Sequence, residues 1–238
     1  MSSSLSALGS ATFYEEGYDH LVELVHERAA DARRRLVSLD IVLYDTEGKQ
    51  LADVPVDPRQ EILDLAALVA QHAPGHGRVM AVFDARFDER TFPYRPHHYG
   101  YVHRRASPAP PLYYAVTASR GGVPDRLATR VHILPNFESY LFLGRPFAER
   151  FSVLLGNLAR FAPGEAQVSA YYGDERVVRD VTLGPRAHVE LALQPEREGR
   201  LLERVELKAV FRLTSYVVGR RAAGGDLVLF DHLFTYFK

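Results

Sequence analysis

Residues Phe151 to Leu193, FSVLLGNLARFAPGEAQVSAYYGDERVVRDVTLGPRAHVELAL, decide how the chain is read. Short apolar runs are separated by Ala162-Pro163-Gly164-Glu165, Tyr172-Gly173-Asp174-Glu175 and Gly184-Pro185-Arg186, residues of the kind that punctuate consecutive antiparallel strands. The stretch reads as half of a β-sandwich. An earlier segment, LVSLDIVLYDTEGKQLADVPVDPRQEILDL, follows the same grammar. In it Val37, Leu39, Ile41 and Leu43 alternate with Ser38, Asp40, Val42 and Tyr44, and Thr46-Glu47-Gly48-Lys49 supplies a hairpin turn.

Two short matches turn this likeness into a duplication. Asp53-Val54-Pro55-Val56-Asp57-Pro58-Arg59 and Asp180-Val181-Thr182-Leu183-Gly184-Pro185-Arg186 share the form D-V-x-[VL]-x-P-R at an offset of 127 residues. Ala81-Val82-Phe83 and Ala209-Val210-Phe211 repeat at an offset of 128. Anchors at nearly one offset argue for one unit used twice. Period-two alternation from Val79 to Phe87 and from Val205 to Leu213 adds a long strand with a charged outer face to each copy.

The expected architecture is all-β: two tandem, similar antiparallel β-sandwich domains with one or two short helices. A helix is expected from about Leu65 to Gln71, after a brief strand, with Asp57-Pro58 as a plausible cap. Residues 1–12 read as a disordered N-terminus, 13–118 as the first sandwich, 119–126 as a linker and 127–238 as the second. LYYAVTA, between the Pro-rich connector at 106–111 and the break at 119–125, completes the first sandwich or bridges the two. RVHILP and SYLFLG open the second. The segment around 20–35 reads as strand and loop, with a helix as the alternative.

Composition bounds the function. A formal charge of -1 over 238 residues gives no general basic field for nucleic acid, and the lack of cysteine removes disulfides and thiolate metal sites. No apolar run approaches the ~20 residues that cross a bilayer, so a cytoplasmic protein without membrane insertion is expected.

FSVLLGN, then VSAYYGDERVVRDVTLGPRAHVEL, then VELKAVFRLTSYV resembles the bacterial β-sandwich family typified by the sensory rhodopsin transducer. The resemblance covers roughly 90 residues of the second copy and, more loosely, the same span of the first. It implies a non-enzymatic, oligomeric protein that binds small ligands or protein partners. The first copy departs from the pattern at Leu24-Val25-His26-Glu27, where an Asn-ended strand is expected, and no ligand residue is carried over.

The richest cluster of chemistry is Tyr94-Arg95-Pro96-His97-His98-Tyr99-Gly100-Tyr101-Val102-His103-Arg104-Arg105. On an extended strand His97, Tyr99, Tyr101 and His103 share a face, but His97 and His103 stand ~20 Å apart at ~3.3 Å per residue. Ligands of one metal must converge on bonds of ~2.1 Å, so a metal site here needs a bend at Gly100. A ligand or partner face is the alternative, with Tyr94, Arg95, His97, His98, Tyr99, Tyr101, His103 and Arg104 as its candidate residues. Tyrosine offers stacking surface there, and Arg and His offer donors.

Elsewhere Glu15, Glu16, Asp19, His20, Glu23, His26 and Glu27 form a dense cluster. His26-Glu27 begins a zinc-protease motif that lacks its second histidine at Ala30. His72 and His76 flank a Pro-Gly turn. No G-x-S-x-G elbow occurs, Gly121-Gly122 and Gly224-Gly225 lack the lysine of a P-loop, and no catalytic residue, metal ligand or cofactor is assigned. The expected protein is a non-catalytic binding or adaptor module that forms a homo-oligomer and meets a small molecule or protein through a Tyr/His/Arg face. The alternatives are a structural subunit of a larger assembly and a metal-dependent enzyme using histidines near 97–103.

Overall fold

The computed structural model of the chain describes residues 6–24, 36–57, 59–87, 98–119, 136–142, 148–195, 200–222 and 224–235. These residues form an all-β protein. The first half holds β1 (Ser6–Glu15), β2 (Tyr18–Glu23), β3 (Leu36–Tyr44), β4 (Gln50–Val56), β5 (Ile62–Asp64), β6 (Arg78–Phe87), β7 (His98–Arg104) and β8 (Leu112–Ser119). The second half holds β9 (Asn136–Leu141), β10 (Arg150–Gly156), β11 (Gly164–Tyr172), β12 (Glu175–Leu183), β13 (His188–Ala192), β14 (Arg204–Ala209), β15 (Thr214–Arg220), β16 (Leu227–His232) and β17 (Phe234–Thr235). The one helix among the described residues, α1 (Leu65–His72), follows β5 directly and buries Leu65, Ala66, Leu68 and Val69.

Strand order makes the duplication explicit. Sheet I runs β4-β3-β6-β1 and sheet II runs β8-β7-β2-β5, joined where Thr117–Ser119 of β8 pair with Gly9–Ala11 of β1. In the second half, sheet III is β16-β15-β10-β13 and sheet IV is β12-β11-β14-β9-β17. Each strand of the first half thus has its counterpart eight strands later. β16 and β17, separated only by the buried Leu233, together play the part of β8. All these pairings are antiparallel, the arrangement that short turns between consecutive strands allow.

Several local expectations need correction. Residues 6–12, read as disordered, form most of β1, where Ala11 and Thr12 are fully buried. The helix cap is Asp64, whose carboxylate accepts from the Ala67 amide at 2.9 Å; Asp57 instead accepts from the Arg59 amide in its own turn. The second duplication anchor is out of register, since Ala81 lies within β6 while Ala209 ends β14. The strand matching β7 is β15, and LVLFDHL forms β16 and the buried Leu233 that follows it. RVHILP, 25–35 and residues 120–126 of the expected linker lie outside the described residues, while Ser119 ends β8.

The halves share a core. Phe13, Met80 and Tyr44 on the outer face of sheet I meet the outer face of sheet III, and one continuous apolar cluster takes in Leu154, Tyr216, Val218 and Phe230 with the core of the first half. Phe13 meets Tyr216 edge-on with centroids 5.9 Å apart, and the Tyr216 hydroxyl donates to the Ala11 carbonyl at 3.0 Å. The remaining faces of β10 and β15 carry Val153, Leu155 and Val217 into a second cluster against sheet IV. Sheets I and III are therefore covered on both sides, whereas sheets II and IV each turn one face to solvent.

The hairpin at Gly48 fixes part of this contact. Gly48 has φ +87° and lies so close to the 185–187 backbone that a side chain would fall on the Pro185 carbonyl. Glycine is needed there for conformation and for space.

Candidate functional site

Sheet II turns its outer face to solvent, and strand register arranges that face in rows. Ile62, Glu23, Tyr99 and Ala115 form one row across β5, β2, β7 and β8; Asp64, Leu21, Tyr101 and Tyr113 form the next. Asp19 and His103 begin a third. Of the ten large apolar side chains exposed among the described residues, Leu21, Ile62, Tyr101 and Tyr113 lie on this face. A cluster of that kind marks an interaction surface more strongly than the same residues scattered singly.

The tyrosines form a connected set. Tyr99 and Tyr113 stack with centroids 5.1 Å apart and planes 15° apart, and Tyr101 tilts against Tyr113 at 4.8 Å. Partial desolvation, then the phenols of Tyr101 and Tyr99 and the carboxylate of Glu23, raise the Tyr113 hydroxyl above its ordinary pKa. The rim is acidic. Glu23 stands directly across from Tyr99, Asp64 caps α1, and Asp19 pairs with Arg105 at 2.8 Å.

Three of the eight candidate residues, Tyr99, Tyr101 and His103, lie on this face. The His103 ring is tied to the Ala109 carbonyl at 2.8 Å. His98 is a correction: strand period turns it inward, 1% exposed, with its ring 5.3 Å from Phe83. Arg104 is another, reaching Asp226 of the second half at 3.5 Å. Tyr94, Arg95 and His97 lie outside the described residues. Gly100 does not bend β7; it stays in register with Val22 and Tyr114, and its missing side chain leaves room for the Tyr114 ring.

Tyr113, Leu21 and Ile62 were missed, and Glu23 was read only as part of the acidic cluster from Glu15 to Glu27. Their signal was the alternation within LYYAVTA and YDHLVE, which sends Tyr113, Leu21 and Glu23 outward and Tyr114 and His20 inward.

His20 sits in the core of the first half. Its Nε2 lies 2.5 Å from the Tyr114 hydroxyl, which also meets Thr12 Oγ1 at 2.5 Å. Burial pulls His20 down to about 3, so the ring is neutral; the Tyr114 hydroxyl can then donate to Nε2 while accepting from Thr12. The network is 0–3% exposed and serves packing. Of the acidic cluster around it, Glu15 belongs to the contact between the halves, while His26 and Glu27 lie outside the described residues. Among the described residues no three His, Asp or Glu side chains converge on a metal position.

That contact carries its own charged network. Glu15 on β1 and Arg78 on β6 meet Glu190 on β13 and Arg220 on β15. Arg220 bonds Glu15 at 2.6 Å and Glu190 at 2.5 Å, and Arg78 bonds Glu15 at 3.3 Å as well as Glu190. Burial alone would raise the Glu190 carboxyl, but the Ser152 hydroxyl and the charges of Arg220 and Arg78 hold it below the usual range. Two cations against two carboxylates leave no reactive charge in excess, and the network reads as a clamp.

Sheet IV offers a different outer face. An open groove of about 570 Å³ runs past Glu165, Gln167, Asp180, Thr182 and Lys208, with Gln167 donating to Asp180 at 2.9 Å. Its charges are mixed and partly paired. No protein-family model matches the chain, and no curated protein matches it. No described helix is long and apolar enough to cross a membrane.

Proposed function

We propose that the chain is a non-catalytic binding or adaptor module whose working surface is the outer face of sheet II. The observation that carries this reading is the exposed row of Leu21, Tyr101 and Tyr113 beside Tyr99 on a rigid four-stranded sheet. Tyrosine supplies large amphipathic contact area at little entropic cost, which is why it anchors recognition surfaces. The likeness of FSVLLGN and the strands after it to the sensory rhodopsin transducer family supports the same class. Asn157, the Asn that ends that strand, is fully buried and donates to the carbonyls of Ala162, Leu183 and Gly184, so its role is to fix the chain and not to meet a ligand.

The reading includes self-association. β12, nine residues long, stands at an open edge of sheet IV, and edges of that length are commonly covered by another chain. Sedimentation velocity at micromolar concentration should show a species heavier than the 26.8 kDa chain; a strict monomer would contradict this part. For the face itself, a thermal-shift panel of sugars, nucleotides, peptides and metal ions should yield a ligand that stabilises the wild type but not a Tyr101→Ala/Tyr113→Ala variant. A ligand that shifts both proteins equally would place binding elsewhere.

A further inference from the structure

Exposed tyrosine is treated differently on the two solvent-facing sheets. On sheet IV, Tyr171 is covered by the chain's own cations: the Arg204 guanidinium lies 4.2 Å from the ring centroid and that of Arg176 lies 5.5 Å away. Arg204 also contacts Glu206 at 3.2 Å, and Glu206 accepts from the Tyr171 hydroxyl at 2.7 Å. Tyrosine, carboxylate and guanidinium thus form a closed triad. On sheet II the first two members are present, with Glu23 directly across from Tyr99 and Asp64 in the row of Tyr101 and Tyr113. Among the described residues no Arg or Lys lies over any of these three rings. Among the described residues the rim carries Arg105, which is held by Asp19.

We propose that the outer face of sheet II binds an arginine-bearing cationic segment of a partner protein, whose guanidinium takes the position over Tyr99 and Tyr113 that Arg204 takes over Tyr171. This names the occupant of the binding face inferred above and rests on that reading. Arginine fits better than lysine because its planar group stacks on an aromatic face while its N–H fork pairs with a carboxylate. The Glu23 carboxylate supplies the complementary charge, with Asp64 adding to it although it also accepts from the Ala67 amide, and apolar Leu21 and Ile62 offer contact area to the segment.

The test uses the full chain with fluorescein-labelled nona-arginine and nona-lysine peptides, read by anisotropy at two salt concentrations. Nona-arginine should bind at least about threefold tighter than nona-lysine. Tyr101→Ala/Tyr113→Ala should weaken it at least about fivefold, and Glu23→Gln should weaken it and flatten the salt dependence. Tyr171→Ala, on the opposite sheet, should change nothing, and unchanged melting curves would show that every variant is folded. Equal affinity for the two peptides, or wild-type binding by the tyrosine variant, overturns the arginine assignment. A dimer that dissociates on Tyr101→Ala/Tyr113→Ala also overturns it, because a second copy is then the occupant, yet leaves the face a binding surface. If neither peptide binding nor association state responds to those substitutions, both readings fall.

Discussion

The two halves share one strand order and spend their sheet faces differently. The outer face of sheet I carries Phe13, Met80 and Tyr44 and is covered by sheet III. The outer face of its counterpart, sheet IV, carries Glu206, Lys208 and Gln167 on its central strands, with Leu141 and Phe234 exposed on β9 and β17, and meets water. Likewise β15 turns Tyr216 and Val218 into the contact between the halves, while β7 turns Tyr99 and Tyr101 outward. Equivalent backbones thus hold an apolar face where a partner sheet covers them and, in sheet IV, a mixed face charged over its central strands where none does. Sheet II breaks the pattern. No sheet among the described residues covers it, yet it keeps aromatic and aliphatic side chains on its outer face. A stack built by head-to-tail docking of like units ends in two unlike surfaces. One end here is charged over its central strands with apolar residues toward β9 and β17, and the other carries a connected set of tyrosines.

Substitutions that compare matching positions test this contrast. The largest effect is expected at Tyr216, which is fully buried between the halves. Tyr216→Ala should cost about 3–5 kcal/mol in urea unfolding, from lost aromatic packing and the bond to Ala11. Next come the matching hairpin glycines. Gly48→Ala should lose about 2–4 kcal/mol, because positive φ and contact with the 185–187 backbone act together. Gly173→Ala should lose only about 1 kcal/mol, since Gly173 shares the positive φ but meets nothing closer than the Arg200 side chain at 3.7 Å. Equal losses at the two glycines would mean that the 45–49 hairpin is not clamped by the second half.

Breaking the charged clamp should cost less than the loss of Tyr216. Arg220→Met leaves Arg78 alone between Glu15 and Glu190, and about 2–3 kcal/mol of stability should go with it in urea titrations. Glu206→Gln on the solvent face should stay within about 0.5 kcal/mol.

Acid should separate the halves' contact from the rest of the fold. His188, against Phe13, is pulled down to about 4 by burial and by the charge of Arg78, and His20 to about 3 by burial. An unfolded histidine titrates near ~6.5. Between that pH and the native values the unfolded chain binds protons that the folded chain does not. Stability is therefore full above pH ~6.5 and falls as pH drops toward 4, by up to about 1.4 kcal/mol per unit for each histidine. Urea midpoints measured from pH 7.5 to 5 should show this slope, and His188→Leu should roughly halve it. An unchanged slope would mean that His188 is solvated.

The fold was legible because period-two alternation and turn residues are local signals. Val79 to Phe87, the brief strand before Leu65 and the hairpins at Gly48 and Gly173 all declare themselves within ten residues. The contact between halves was not, because Glu15 meets Arg220, and Ala11 meets Tyr216, across 205 residues, and no local pattern links such pairs. The site was half legible. A run of Tyr and His flagged β7, but which residues faced out depended on strand phase. The rest of the face came from β2, β5 and β8, which only sheet pairing brings beside it. Asp53-Val54-Pro55 held as an anchor because a turn follows it in both copies, whereas Ala-Val-Phe misled because apolar tripeptides recur in any strand.

The smallest stability effects belong to the free face. Tyr101→Ala and Tyr113→Ala should each change stability by no more than about 0.5 kcal/mol while removing binding.

The contrast between a covered and an uncovered sheet face is tested most directly by hydroxyl-radical footprinting with residue-level mass spectrometry of the folded chain, diluted below the concentration at which it self-associates. Tyr113 and Tyr114 are neighbours in β8, 54% and 3% exposed, and Tyr216 is fully buried. Rapid labelling of Tyr101 and Tyr113, with Tyr114 and Tyr216 protected, is the predicted result. Comparable labelling of Tyr113 and Tyr114, or ready labelling of Tyr216, would contradict it.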